Sequence, residues 1–209
     1  MNNTSSSTTE HIIPYLDSGV IGDTWWMGIK VLKVPMDMWL YQEIIHNHAP
    51  DVIIETGTYN GGSALFMAQV CENLNRGRII TIDIVKRKFP EHKRIEYVNA
   101  SSISEDTVKQ VKQMIKPGEK VMVILDANHD EDFVDQELKL WSPIVTKGQY
   151  LVVEDTVLCY KQTGADGPYD SVKKFMSDNK EFVIDESKHK FMISSNMCGF
   201  LYKHSQEVK

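Results

Sequence analysis

The sequence has few cysteines, no long apolar run and no extended basic segment, and each of these absences excludes a class of protein. Its three cysteines (Cys71, Cys159 and Cys198) form no C-x-x-C pair, which argues against a disulfide framework and favours the reducing cytoplasm. No apolar run approaches the roughly 18 residues that a membrane span needs. The net charge is −6 and the longest basic cluster is Lys86-Arg87-Lys88, so nucleic-acid binding is disfavoured.

The 209 residues are enough for one domain with short additions. Residues 1–10 are polar and predict a disordered tail, residues 11–50 predict a helical segment that serves as a lid, and residues 51–209 predict the main domain. Apolar runs alternate with helical periodicities in that domain, which predicts an α/β fold with a mostly parallel sheet. Short strands near 182–185 and 198–203 predict a C-terminal antiparallel hairpin, and Ser102 with Glu105 predicts a capping box at one helix start.

The stretch 51–68, DVIIETGTYNGGSALFMA, predicts a buried strand, a tight glycine turn and the start of a helix. Such a turn lets the backbone approach a ligand, and the helix start offers unpaired N–H groups. The glycine spacing is neither G-x-G-x-x-G nor that of a phosphate loop. An acid before the glycines suits a ligand that carries a cation, such as S-adenosylmethionine, although a turn that only packs helix on strand is the alternative. The residues concerned are Glu55, Gly57, Gly61, Gly62 and Ser63.

Acidic residues end the predicted parallel strands, where ligands bind in sheets of this kind. Asp83 follows the second strand at about the spacing of an acid that binds a ribose. Asp126, Glu154 and Asp155 would bring three carboxylates together, which requires a cation among them. An all-oxygen ligand set favours Mg²⁺ or Mn²⁺ over zinc. The alternative is that some of these acids cap helices or pair with lysines.

His129 lies three residues after Asp126, in the segment DANHD. An imidazole there would stand over the cation site and accept a proton from a substrate hydroxyl, although most single histidines are structural or surface residues. Trp25, Trp26 and Trp39 are expected in the core or in an interface, with an acceptor pocket as the alternative.

At these motifs the chain resembles known methyltransferases. ETGTYNGGSA is similar to the first motif of small S-adenosylmethionine-dependent O-methyltransferases, including the catechol type. The wider pattern over about residues 25 to 203 resembles the cephalosporin hydroxylase / rhamnosyl O-methyltransferase family. It runs through MGIKVLKVPMDMWLYQEII, VIIETGTYNGGSALFMA, LDANHDEDFV, GQYLVVEDTV and GFLYK. The resemblance implies a Rossmann-like, seven-stranded class I methyltransferase fold.

The resemblance also implies roles for particular residues. Glu55, Gly57, Tyr59 and Ser63, with Gly61 in the same turn, would hold the methionine end of S-adenosylmethionine. Asp83 would hold the ribose, and Ser101 would lie near the adenine. The Mg²⁺ ligands would be Asp126, Glu154 and Asp155, and Asp126 would also border the cofactor and take part in catalysis. Catechol-type enzymes carry a lysine base at the position of His129.

The main hypothesis is therefore a Mg²⁺-dependent O-methyltransferase that acts on a small hydroxylated acceptor, such as a sugar, a glycan or a secondary metabolite. One alternative is a cofactor-binding subunit of a hydroxylase-type complex that transfers no methyl group itself. The other is an NAD-dependent oxidoreductase, which the glycine spacing disfavours. We expect a cytoplasmic homo-oligomer that binds no nucleic acid.

Overall fold

The computed structural model describes residues 4–157 and 167–205, with side chains from residue 11 onward. The helices that belong to these ranges are α1 (Thr4–Asp17), α2 (Pro35–His48), α3 (Gly62–Asn73), α4 (Glu105–Gln113), α5 (Glu131–Trp141) and α6 (Pro168–Asp178). Short 3₁₀ turns are Val20–Asp23, Ser142–Ile144 and Glu186–His189. The strands are β1 (Trp25–Trp26), β2 (Ile29–Lys30), β3 (Val52–Thr56), β4 (Arg78–Asp83), β5 (Ile95–Asn99), β6 (Val121–Leu125), β7 (Tyr150–Val153), β8 (Phe182–Ile184) and β9 (Phe200–Lys203).

Within the described residues, seven strands form one sheet in the order β5-β4-β3-β6-β7-β9-β8. Strands β3 to β7 pair in parallel, whereas β9 runs antiparallel to both of its neighbours, β7 and β8. The predicted mostly parallel sheet with a C-terminal antiparallel hairpin is confirmed. Strand β3 lies between β4 and β6, so the strand order reverses beside it, and the carboxyl ends there leave a crevice for a ligand.

Both faces of the sheet are covered because successive strand residues point to opposite sides. On one face, Ile53 and Ile124 pack in a cluster with Leu40 of α2 and Met67 of α3. The opposite face packs against α4, α5 and α6. Its cluster includes Ile54, Val123, Val108, Leu138 and Val172. The apolar runs of β3, β6 and β7 are fully buried, as the sequence predicts.

The N-terminal region covers the edge of α3. Trp26 of the β1–β2 hairpin donates a hydrogen bond from Nε1 to Gln69 Oε1 at 2.9 Å. Its ring meets that of Phe66 edge-on, with centroids 4.8 Å apart. Helix α1 begins at Thr4, so the structure differs from the expected tail over residues 4–10, whereas residues 1–3 lie outside the described part.

The predicted capping box at α4 is wrong. The helix starts at Glu105, with Ser104 at the cap position. Ser102 is buried below it, where its carbonyl accepts a hydrogen bond from Trp141 Nε1 at 2.9 Å. This contact satisfies the buried indole N–H of Trp141, and Ser102 lies before the helix.

Cys71 and Cys198 are free thiols, and Cys159 lies outside the described residues. Among the helices of the described ranges, none has the length and apolar character needed to cross a bilayer.

Candidate active site

The glycine turn after β3 joins the carboxyl ends of three strands. Gly57 has φ of +83° and donates its N–H to the carbonyl of Ile82, at the end of β4, at 2.8 Å. A Cβ on Gly57 would lie 1.9 Å from the carbonyl oxygen of Asp126, beyond the end of β6. The turn therefore requires glycine for its backbone conformation and for its contact with the neighbouring strand.

Glu55 and Ser63 lie beneath this turn. Glu55 is fully buried, and it accepts hydrogen bonds from Ser63 Oγ and, at 2.7 Å, from Thr81 Oγ1. Burial raises the pKa of Glu55 to about 7. Both carboxylate oxygens of Glu55 have hydroxyl partners within the protein, so this carboxyl ties β3 to β4 and to the first turn of α3.

A cavity of about 150 Å³ opens beside the turn. Its lining includes Gly57, Asp83 and Ser101, three of the residues that the sequence assigns to the cofactor, together with Asn128 and Phe133. These residues come from the ends of β3, β4 and β5 and from the approach to α5. The predicted ribose and adenine residues are therefore neighbours in the structure.

Asp83 is held at the rim of this cavity by backbone groups. Its Oδ2 accepts the N–H of Tyr59 at 2.9 Å, and its Oδ1 accepts the N–H of Val85 at 2.7 Å. Tyr59 also has a positive φ of 51°, and its ring lies 5.1 Å below the guanidinium of Arg87. Gly61 caps α3 with φ of +79° and leaves the first N–H groups of that helix without a side-chain cap.

The acids after β6 and β7 converge with His129. One potential ligand atom from each of Asp126, His129 and Asp155 lies within 4.8 Å of the other two. His129 Nε2 is 3.1 Å from Asp155 Oδ2 and 3.6 Å from Asp126 Oδ1. Two carboxylates so close together fit a divalent cation such as Mg²⁺ or Mn²⁺, and the imidazole of His129 lies beside them.

Glu154 turns away from this trio toward Lys33. Lys33 Nζ donates to Glu154 Oε2 at 2.7 Å and also contacts Asp126 Oδ2. The hydroxyl of Tyr41 donates to the second oxygen, Glu154 Oε1, at 2.5 Å. Both oxygens of Glu154 therefore have protein partners, and the expected trio of Asp126, Glu154 and Asp155 is divided by a buried ammonium group.

The charges of this cluster shift one another's proton affinities. Burial alone would raise the pKa of Asp126, but the contact with Lys33 lowers it below its ordinary value. Burial and the charge of Asp126 raise the pKa of Glu154 well above its ordinary value. Burial opposes the charged form of Lys33, yet Asp126 and Glu154 raise its pKa. Burial also opposes a charge on His129, and the two aspartates still raise its pKa to about 10.

Lys33 and Tyr41 are the site residues that sequence reasoning missed. Both precede β3, in a region with no acidic motif to indicate such a role. One signal was present: Lys33 stands within the apolar segment VLKVP, and a lysine among buried residues requires a partner of opposite charge.

The tryptophans of the N-terminal region share a separate cavity. Trp25, Trp26 and Trp39 line a space of about 590 Å³ between the hairpin, α2 and α3. Trp25 and Trp39 are 57% and 59% exposed, so they lie at its mouth and not in the core. Asp126, His129 and Asp155 do not line this cavity.

The reversed strand order, the glycine turn and the strand-end cavity define an S-adenosylmethionine-dependent methyltransferase fold. Solved structures share it. The CmcI-N160 apo-structure has a TM-score of 0.70 at 19% identity and covers 88% of this chain and 78% of that one. The structure named cmcI-D160 Mg-SAM has a TM-score of 0.69 at 18% identity, with 87% and 77% covered.

Sequence comparison gives the family. The Rhamnosyl O-methyltransferase of Mycobacterium leprae (strain TN) is 35% identical over 214 residues, covering 96% of this chain and 92% of that protein. The family described as Rhamnosyl O-methyltransferase/CmcI matches residues 18–204. The chain belongs to this family and is an S-adenosylmethionine-dependent O-methyltransferase. That assignment decides against the NAD-dependent oxidoreductase.

Proposed function

We propose that this chain transfers the methyl group of S-adenosylmethionine to a hydroxyl of a sugar, with a rhamnosyl group as the first acceptor to test, and that Mg²⁺ assists the transfer. The observation that carries the proposal is the convergence of Asp126, His129 and Asp155 beside the cavity of Gly57 and Asp83. The sugar acceptor is supported by the name of the Mycobacterium leprae relative, and Mg²⁺ by the name of the CmcI structure.

The cofactor would lie along the carboxyl ends of β3 to β5. The backbone of Gly57, Tyr59 and Gly61 would hold its methionine end, where the start of α3 offers free N–H groups to a carboxylate. Asp83 would accept hydrogen bonds from the ribose, and Ser101 would border the adenine. Glu55 and Ser63 lie beneath the glycine turn and would support it, because the hydrogen bond between them fixes its conformation.

The cation would be held by Asp126 and Asp155, and Glu154 would join them as a third carboxylate only where its contact with Lys33 is broken. When bound, S-adenosylmethionine supplies an electrophilic methyl group, and Mg²⁺ supplies positive charge beside the acceptor oxygen. Asp126 would hold that ion, and its N–H, which donates to Thr56 Oγ1 at 3.1 Å, fixes the residue to the end of β3.

His129 would accept the proton of the acceptor hydroxyl at Nε2. The oxygen forms its bond to the methyl carbon while the carbon–sulfur bond breaks and its electron pair goes to sulfur. While no cation is bound, the two aspartates raise the pKa of His129 to about 10, which keeps the imidazole protonated. Positive charge at those aspartates would lower the pKa of His129, which would free Nε2 to accept the proton of the acceptor hydroxyl.

The test is methyl transfer from labelled S-adenosylmethionine to a panel of rhamnosides and other glycosides. We expect Asp126→Asn to lower the transfer rate by about 10²-fold or more, and a chelator to abolish the activity of the unmodified protein. Asp130→Asn, an exposed aspartate in the same loop, is the matched control and should retain the rate.

Unchanged turnover in Asp126→Asn and in chelator would contradict the cation's role. Binding of S-adenosylmethionine without transfer to any acceptor would instead support a subunit that is active only with a second protein.

A further inference from the structure

Lys33 is a buried cation that reaches the carboxylate cluster from outside the sheet. Its side chain is only 4% exposed, and its ammonium group contacts Asp126 and Glu154 together. A buried ammonium is stable only where opposite charge and hydrogen bonds compensate for lost hydration. These two carboxylates supply that compensation, and Lys33 in turn supplies the positive charge that lets them stand side by side.

The backbone around Lys33 is anchored on both sides. Val31 donates its N–H to the carbonyl of Thr24 at 3.0 Å, and both Val31 and Pro35 line the tryptophan cavity. Lys33 points the other way, toward the strand ends. Its reach is therefore set by the packing of the hairpin and of α2, and not by a free loop.

Tyr41 completes this arrangement from the first turns of α2. Its hydroxyl donates to Glu154 and accepts a hydrogen bond from Asn196 Nδ2 at 3.2 Å. Lys33 and Tyr41 thus satisfy both oxygens of Glu154, whereas Asp126 keeps Oδ1 directed to His129. Asp126 Oδ2 and Glu154 are the groups for which a divalent ion and Lys33 would compete.

We propose that Lys33 is a built-in counterion shared by Asp126 and Glu154 when no divalent cation is bound, and that the cation must displace it. Lys33 thereby lowers the cation affinity of the site and keeps the cation-free protein folded. This inference rests on the proposed cation site, and it assigns to the N-terminal segment a function that the acids alone do not have.

The test is the affinity for Mn²⁺, measured by calorimetry without cofactor or acceptor, in the unmodified chain and in Lys33→Met. Methionine retains much of the apolar stem and removes the charge. We expect Lys33→Met to bind Mn²⁺ at least about tenfold more tightly, because no ammonium has to be displaced. The control is Lys120→Met. Lys120 is exposed and directly precedes β6, at the amino ends of the parallel strands, so this variant should bind Mn²⁺ as the unmodified chain does.

Thermal unfolding provides a second readout. Lys33→Met should melt at a lower temperature in chelator than the unmodified chain and should gain more stability from Mn²⁺. Lys33→Arg keeps the charge and should keep the weaker affinity. If Lys33→Met folds only with Mn²⁺ present, the proposal is supported.

Equal Mn²⁺ affinity in the unmodified chain and in Lys33→Met would overturn the role of Lys33 while leaving the cation site intact. If no variant binds Mn²⁺, the proposed cation site itself fails, and the competition falls with it.

Discussion

Gly57 carries the strictest steric requirement of the strand-end site, because its α-carbon faces the carbonyl of Asp126. We expect Gly57→Ala to weaken binding of S-adenosylhomocysteine at least about tenfold and to lower the free energy of unfolding by more than about 3 kcal/mol, since both conformation and space oppose a methyl group. Gly118→Ala is the control: it shares a positive φ, 85°, but has open space around it, so it should cost about 1 kcal/mol. Calorimetry and urea unfolding measure the two effects, and equal losses in both variants would contradict the steric argument.

Asp37 is a buried carboxyl whose ionisation costs stability. It accepts hydrogen bonds from the N–H and hydroxyl of Ser195 at 2.9 and 3.1 Å, but burial raises its pKa from 3.8 to about 6. Because the folded protein holds this proton more tightly than the unfolded chain, stability is lost as the pH rises from about 4 to about 6.

We therefore expect the stability of Asp37→Asn relative to the unmodified protein to rise by about 1 to 2 kcal/mol between pH 5 and pH 7.5. Urea unfolding at both pH values measures the change. Asp178→Asn, an exposed aspartate with the same change of charge, is the control. A difference that stays constant with pH in Asp37→Asn would refute the pKa assignment.

Among the secondary-structure elements, the β1–β2 hairpin is joined to α3 through Trp26. Removing this side chain breaks its hydrogen bond to Gln69 and its edge-on contact with Phe66. We expect Trp26→Ala to lower the free energy of unfolding by about 2 kcal/mol and to expose the hairpin to proteolysis. Trp25→Ala removes an exposed indole that donates to the nearby Asp23, so it should cost less than about 1 kcal/mol. Equal losses would show that the hairpin is not held by Trp26.

The elements that the sequence predicts best are those with strong periodicity. The apolar runs of β3, β6 and β7 and the helical rows of α2 and α5 follow directly from burial on one or two faces. The hairpin at Trp25–Lys30 has strands of two residues, which are too short for any periodic signal. Helix α4 starts at Glu105 and not where the local capping pattern predicts, and Ser102 instead makes a tertiary contact with the buried indole of Trp141.

In the site, as in the fold, some contacts follow from local sequence patterns and others depend on the packing of the whole molecule. The proximity of Asp126, His129 and Asp155 follows from sequence because parallel strands bring their carboxyl ends to one edge. Lys33 and Tyr41 come from the N-terminal region, and only the packing of α2 against the sheet brings them to Glu154. The apolar segment around Lys33 indicates only that this lysine needs a partner of opposite charge, and the identity of that partner follows from the tertiary packing.

The domain as a whole is expected to gain stability from its cofactor. Ligand that binds only the folded state at a concentration 100 times its Kd adds about 2.7 kcal/mol, which corresponds to a rise in Tm of roughly 5–11 °C for a chain of this size. We expect S-adenosylhomocysteine to produce such a rise in a thermal scan, and an equal concentration of NAD to produce none. A rise with NAD alone would contradict the cofactor assignment.

The most direct test of the account is a crystal structure with S-adenosylhomocysteine and Mn²⁺, recorded at the manganese absorption edge. The account predicts an anomalous peak at about 2.2 Å from carboxylate oxygens of Asp126 and Asp155, with the ribose of the cofactor product at Asp83. A manganese peak away from these acids, or S-adenosylhomocysteine outside the Gly57 cavity, would contradict it.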